Sequence, residues 1–137
     1  MKKLLLLLCL PFIGFGQNVN IPDANFKAYL VGDTTINTNG DAEIQVSEAT
    51  VFNGTIDCSS LSISDLTGIE DFTALTRLHC SGNLLTSLDV SNLTALTYLW
   101  CSSNQLTSLD VSTNTALYNF QCSNNQLTSL DVSNNTA

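Results

Sequence analysis

From Leu75 to the end of the chain one short pattern is written almost three times, and that repetition limits the possible folds more than any other feature. Leu75-x-x-Leu78-x-Cys80-x-x-Asn83-x-Leu85-Thr86-Ser87-Leu88-Asp89-Val90-Ser91 returns as Leu96, Leu99, Cys101, Asn104, Leu106, Thr107, Ser108, Leu109, Asp110, Val111 and Ser112. It comes back a third time from Leu117, Phe120, Cys122, Asn125 and Leu127 through Ser133. The cysteines set the period, since 101 − 80 and 122 − 101 are both 21. A unit this short cannot bury an apolar face alone, so consecutive units must stack and share one continuous core. Ile56, Cys58, Ile63, Leu66, Ile69 and Phe72 carry the same rhythm one turn earlier, with one extra residue between Leu66 and Ile69. Terminal repeats are commonly atypical in this way.

The order L-x-x-L-x-L-x-x-N-x-L at such a period is the leucine-rich-repeat signature, here with Cys in the third apolar slot. The expected fold is a leucine-rich-repeat solenoid, with parallel β-strands on the concave face, an irregular convex side and a small helical N-terminal cap. Residues 55–137 hold about 3.5 to 4 repeats. The pattern breaks off at Asn134-Asn135-Thr136-Ala137 where the next Leu is due. The expectation is a solenoid incomplete at its C-terminus, from a fragment or a truncated reading frame.

Met1 to Gly16 reads as a signal peptide: Lys2 and Lys3 form the positive end, Leu4 to Ile13 the apolar stretch, and Gly14-Phe15-Gly16 a small-residue exit. That stretch is too short to span a bilayer. The rival reading, a lipid-anchored Cys9, suffers from Leu8 standing where a small residue is wanted. Losing Lys2 and Lys3 takes the net charge from −8 to −10 and leaves Lys27 and Arg77 as the basic side chains. Such a surface repels phosphate backbones, which excludes nucleic acid as a partner. The implied location is secreted or at the cell surface.

Export usually implies disulfides. Cys58, Cys80, Cys101 and Cys122 nevertheless share one column of the repeat, each in place of an inward Leu. Side chains stacked in parallel point alongside one another rather than toward one another, so free thiols packed as small hydrophobes are expected. Disulfides or a metal ladder are the alternatives, and C-x-x-C spacing is lacking.

Residues 17–54 differ in kind and are placed to cover the open first end of the solenoid core. Asp23 can cap a helix from Ala24 to Val31, with Phe26, Tyr29 and Leu30 on one face and Gly32 ending it. Asn37 to Glu48 then fits the EF-hand template, with Asn37, Asn39, Asp41, Glu43 (through its carbonyl), Gln45 and Glu48 in the ligand positions. Asn37 replaces the usual Asp, and Ala42 stands where a positive φ asks for Gly. Weakly held Ca²⁺ and a plain polar loop between two short helices are both open, and Glu48 to Phe52 is the expected exit helix.

Columns that repeat serve every coil alike: Leu78, Leu99 and Phe120 inward, Asn83, Asn104 and Asn125 bonding the backbone where it turns. Asp89, Asp110 and Asp131 recur before Val-Ser, as Asx turns require, with a cation-binding acid ladder as the alternative. The columns flanking each inward Leu change from coil to coil. They carry Thr55 and Asp57, Arg77 and His79, Tyr98 and Trp100, Asn119 and Gln121, including the single Trp, His and Arg of the chain. Trp, Tyr and Arg most often dominate binding energy. The ligand-binding candidates are therefore Asp57, Arg77, His79, Tyr98, Trp100, Asn119 and Gln121, for a protein or a glycan. Aromatics also suit strands for packing reasons alone, which leaves a spacer array without a specific ligand as the alternative. Catalysis is not expected, because His79 and Cys80 are chain neighbours and point to opposite faces of a strand.

Ile-Pro-Asp23-Ala-Asn-Phe26, the Asn37–Glu48 loop, Asp65-Leu66-Thr67-Gly68-Ile69-Glu70 and the Leu-Asp-Val-Ser…Thr-Ala-Leu repeats resemble secreted leucine-rich-repeat proteins of Bacteroidetes-type bacteria, internalin-like in style. The resemblance implies surface delivery and a binding role.

Overall fold

The computed structural model describes residues 16–137. The signal-peptide segment therefore lies outside the described residues, apart from Gly16. Four three-residue strands, β1 (Thr55–Asp57), β2 (Arg77–His79), β3 (Tyr98–Trp100) and β4 (Asn119–Gln121), form one parallel sheet in chain order. Ile56, Leu78, Leu99 and Phe120 are paired in register along it. The strands are short because each coil must turn at both ends within its period. This is a leucine-rich-repeat solenoid.

The repeat columns explain the core. Leu75, Leu78, Cys80, Leu85, Val90 and Leu93 of one coil are fully buried, as are Leu96, Leu99, Cys101, Leu106 and Val111 of the next. Burying each such Leu contributes about 1.5–3 kcal/mol, before the entropy of ordering the chain. In the last coil Phe120, Cys122 and Leu127 are only partly buried, whereas Cys58, Cys80 and Cys101 are sealed. Full burial was expected of all four thiols, and Cys122 departs from it because no coil covers its outer side among the described residues. The four are free.

Asparagines stitch the turns. Asn83 donates through Nδ2 to the carbonyls of Cys58 (2.9 Å) and Cys80 (3.0 Å), while its Oδ1 accepts the amides of Leu61 and Ile63. Asn104 donates to Cys80 and Cys101, Asn125 to Cys101 and Cys122, so each side chain ties two successive coils. One residue before this column, Ser103 and Asn124 adopt positive φ, as Gly82 does at +70°. Asp89, Asp110 and Asp131 each accept the amide two residues on at 2.9 Å, in Asx turns, and Asp65 does the same to Thr67. No acid ladder for a cation is needed to explain their recurrence.

Two helices, α1 (Ala24–Gly32) and α2 (Val46–Ala49), make the cap. Helix α1 runs through Gly32 to an extended Asp33, so Gly32 ends it as the last helical residue rather than as a left-handed cap. Helix α2 begins at Val46 rather than Glu48, because Glu48 reaches back to accept the Gln45 amide at 3.0 Å, and the chain leaves the helix before Phe52. An extended segment unseen in the sequence pattern pairs Asn18 with Gln45 in antiparallel sense. Asp23 joins cap to solenoid: one carboxylate oxygen caps α1 at Asn25 and Phe26, the other accepts the Ser64 amide and hydroxyl, each at 2.9 Å. Phe52 meets Phe72 edge to face at 6.3 Å across the same junction.

Candidate functional site

Alternation along each strand sends the central residue into the core and the flanking two outward. Register then builds two rows across the sheet: Thr55, Arg77, Tyr98 and Asn119 in one, Asp57, His79, Trp100 and Gln121 in the other. Adjacent parallel strands lie roughly 4.8 Å apart, a distance that lets planar groups stack.

The rows do stack. The Arg77 guanidinium carbon sits 4.7 Å from the Tyr98 ring centre. The His79 imidazole lies on the Trp100 indole with centroids 4.0 Å apart and planes 8° from parallel. Asp57 approaches His79 Nδ1 at 3.7 Å. Its carboxyl is held below the usual range by hydrogen bonds from Ser59 more than by the imidazole. The indole Nε1 donates to Asn119 Oδ1 at 2.7 Å, which links the two rows. All seven residues expected on the strand face are thus on it, in two contact sets, Arg77 with Tyr98 and Asp57 with His79, Trp100 and Asn119, while Gln121 is exposed at the end of its row.

Tyr118 belongs to this cluster and was not among the expected residues. Its ring meets Tyr98 at 4.8 Å, 65° from parallel, and the two hydroxyls are hydrogen bonded. It is 57% exposed. The equivalent positions in earlier coils are Thr76 and Thr97, whose hydroxyls bond the preceding coil's carbonyls at Asn53 and Thr76. Tyr118 breaks that scaffold column, and this departure was the available signal.

His79 and Cys80 diverge as strand neighbours must: Cys80 is fully buried, its thiol pushed well above the usual range by desolvation, while the imidazole faces out against Trp100. The pair forms no nucleophile–base couple.

The loop 37–48 brings its six expected ligand residues together, but into a polar network that closes on itself. Glu48 Oε1 accepts the Thr38 amide and hydroxyl and the Asn39 amide, and Oε2 accepts the Gln45 amide. Asn37 donates to the carbonyls of Val31 and Asp41, and Asn39 to Asp41 and Gln45. The Glu43 carboxylate turns away to Lys27 at 2.7 Å. The side-chain oxygens of Asn37, Asn39, Asp41, Gln45 and Glu48 that a hard cation would need are engaged by N–H and O–H donors, so these side chains as placed do not fit a calcium cage.

Comparison with known proteins agrees with the leucine-rich-repeat fold. A family profile described as leucine-rich repeats in two copies matches residues 73–114. Internalin J of Listeria monocytogenes is 44% identical over 71 residues, which is 51% of this chain and 7% of that protein. The solved functional domain of InlJ from Listeria monocytogenes, described as including a cysteine ladder, superposes with a TM-score of 0.75 at 43% identity. That match covers 87% of this chain and 26% of the other. An internalin, InlF, from the same species matches with a TM-score of 0.72 at 20% identity, over 90% of this chain and 36% of its own, and shares the fold. This chain thus spans a small part of the relatives it matches.

Proposed function

We propose that this internalin-style leucine-rich-repeat solenoid is a binding module that takes a protein partner on its strand face, after delivery to the cell surface or the medium. The observation that carries the reading is the continuous contact of Arg77, Tyr98 and Tyr118 with, alongside, Asp57, His79 and Trp100. All of these but Tyr118 occupy the columns that vary between coils, while the invariant columns are spent on core and turns. Aromatic and Arg clusters of this kind are where binding energy concentrates.

The stacking also bears on the choice between protein and glycan. A sugar ring packs on an open aromatic face, yet one face of Tyr98 is covered by Arg77 and one face of Trp100 by His79. What the cluster presents outward includes the unpaired Arg77 and the exposed Tyr118, which suits a polypeptide. Delivery rests on Lys2, Lys3 and the apolar run Leu4 to Ile13. No helix among the described residues is long and apolar enough to cross a membrane.

Surface pull-down alongside a glycan array, with the parent and Tyr98→Ala/Trp100→Ala, tests the reading. The expected result is a protein captured by the parent and lost by the folded double variant. Equal capture by both would remove the strand face from consideration, and no capture by either would leave a spacer role.

A further inference from the structure

We infer that Arg77 is a carboxylate-reading residue, and that the partner polypeptide docks an Asp, a Glu or its C-terminus on it. The inference rests on the strand-face reading above and specifies what that face recognises.

The first observation is that Arg77 is exposed and, among the described residues, has neither an ion-pair nor a hydrogen-bond partner. This is unusual company for a cation, because the chain carries 12 acidic residues against 4 basic ones. Lys27, the other basic side chain of the described region, is fully engaged by both oxygens of Glu43 at 2.7 Å. The acid nearest in the sheet, Asp57, stands in the other row and is taken up by Ser59 and His79. Thr55, the register neighbour of Arg77 on β1, carries no charge.

The second observation is that the guanidinium is already placed. Its carbon lies 4.7 Å from the Tyr98 ring centre, a cation–π contact that limits its freedom, and Tyr118 in turn hydrogen bonds the Tyr98 hydroxyl. An Arg normally loses much rotamer freedom when it binds, so a platform that restrains it beforehand lowers that cost. None of its N–H groups has a partner among the described residues, so they are left for a carboxylate, which a guanidinium can meet two bonds at a time. The surrounding charge sharpens the choice. Without Lys2 and Lys3 the chain has a net charge of −10, so an acidic group is repelled over most of the surface and drawn to the unpaired Arg77.

The test pans a library of short synthetic peptides on the immobilised full chain. Each recovered peptide is then remade with every Asp→Asn and Glu→Gln change and with an amidated C-terminus. At one such position the amide form should bind the parent about ten- to a hundredfold more weakly, the scale of a charge-assisted hydrogen-bonded pair. On Arg77→Gln the acid and amide forms should bind within about twofold of each other, on a variant that still unfolds cooperatively with only the small loss that one exposed cation–π contact implies. Arg77→Lys, which keeps the charge and loses the planar fork, should recover only part of the preference. An acid preference that survives Arg77→Gln, or its absence in the parent, overturns the inference. Peptides that need Trp100 but ignore carboxylates would sink it while sparing the strand-face reading, whereas peptides indifferent to both Trp100→Ala and Tyr98→Ala would sink both. Arg77-dependent capture of polygalacturonate with no peptide recovered would overturn the assignment to a polypeptide.

Discussion

The imidazole of His79 lies flat on the indole of Trp100, 4.0 Å away, although the two residues are a full coil apart in the chain. Strand register puts them side by side, and Asp57 on one flank and Asn119 on the other keep both rings from turning. Stacked pairs contribute about 0.5–1.5 kcal/mol beyond the area they bury. A double-mutant cycle with His79→Ala and Trp100→Ala, read by denaturant unfolding, should give a coupling of that size. Coupling near zero would mean that the rings merely coexist.

Thiol reactivity should follow burial along the cysteine column. Desolvation pushes Cys58 and Cys101 up to about 12 and Cys80 well above its ordinary value, whereas Cys122 is raised less. Since the thiolate is the reactive form, a thiol reagent near pH 8 should modify Cys122 first and leave the other three until denaturation. Peptide mapping by mass spectrometry after brief native labelling decides this. Early modification of Cys80 would contradict the sealed core.

Two buried asparagines should respond differently to loss of their amides. Asn104 accepts the Leu85 amide and donates to Cys80 and Cys101 in adjoining coils, so Asn104→Ala strands several buried polar groups and should cost about 2–4 kcal/mol. Asn114, fully buried where Asn104 is 8% exposed, has an Oδ1 without a partner among the described residues. The Val90 and Leu93 carbonyls it serves keep the amides of Leu93 and Leu96. Leu93 fills the same column one coil earlier, so Asn114→Leu should cost less than about 1 kcal/mol. Equal losses, measured by chemical denaturation, would refute the distinction.

Acid should loosen the cap. Burial alone would raise the Glu48 carboxyl, but hydrogen bonds from Gln45, Thr38 and Asn39 outweigh it and hold the group below its ordinary value of 4.5. Asp23 is depressed in the same manner, where bonds from Ser64, Phe26 and Asn25 overcome desolvation. A folded carboxyl with a lowered pKa contributes stability above the unfolded value, and that contribution drains away as pH falls through the folded one. Melting temperature should therefore drop below about pH 4.5. Glu48→Gln and Asp23→Asn should lower stability at neutral pH and flatten the decline. Because the loop oxygens already have donors, calcium and chelator should give the same melt. A calcium-dependent rise that Glu48→Gln removes would show that the loop rearranges into a cation site.

Recurrence made the solenoid legible. Leu78, Leu99 and Phe120 at one spacing demand stacked coils, and the alternation around them places Arg77, His79, Tyr98 and Trp100 on the outward rows without any coordinates. The asparagine and aspartate columns could be read too, since a polar residue repeated at a turn has the backbone to satisfy. Tyr118 was hidden by the same logic, because its column is scaffold in Thr76 and Thr97 and only a side chain long enough to leave the turn can join Tyr98.

What remained was set by contacts between segments that share no period. Spacing from Asn37 to Glu48 suits a cation, and only the packed cap shows that Glu48 spends both oxygens on backbone and hydroxyl donors and that Glu43 turns to Lys27. A one-dimensional pattern specifies which residues are eligible to meet. Where N–H groups and a cation compete for one carboxylate, as at Glu48, the winner depends on distances that the surrounding fold imposes. The sequence by itself therefore determined the coil, its core and the face that varies, while the tertiary structure decided the cap: hydrophobic repetition is encoded locally, and polar pairing is not.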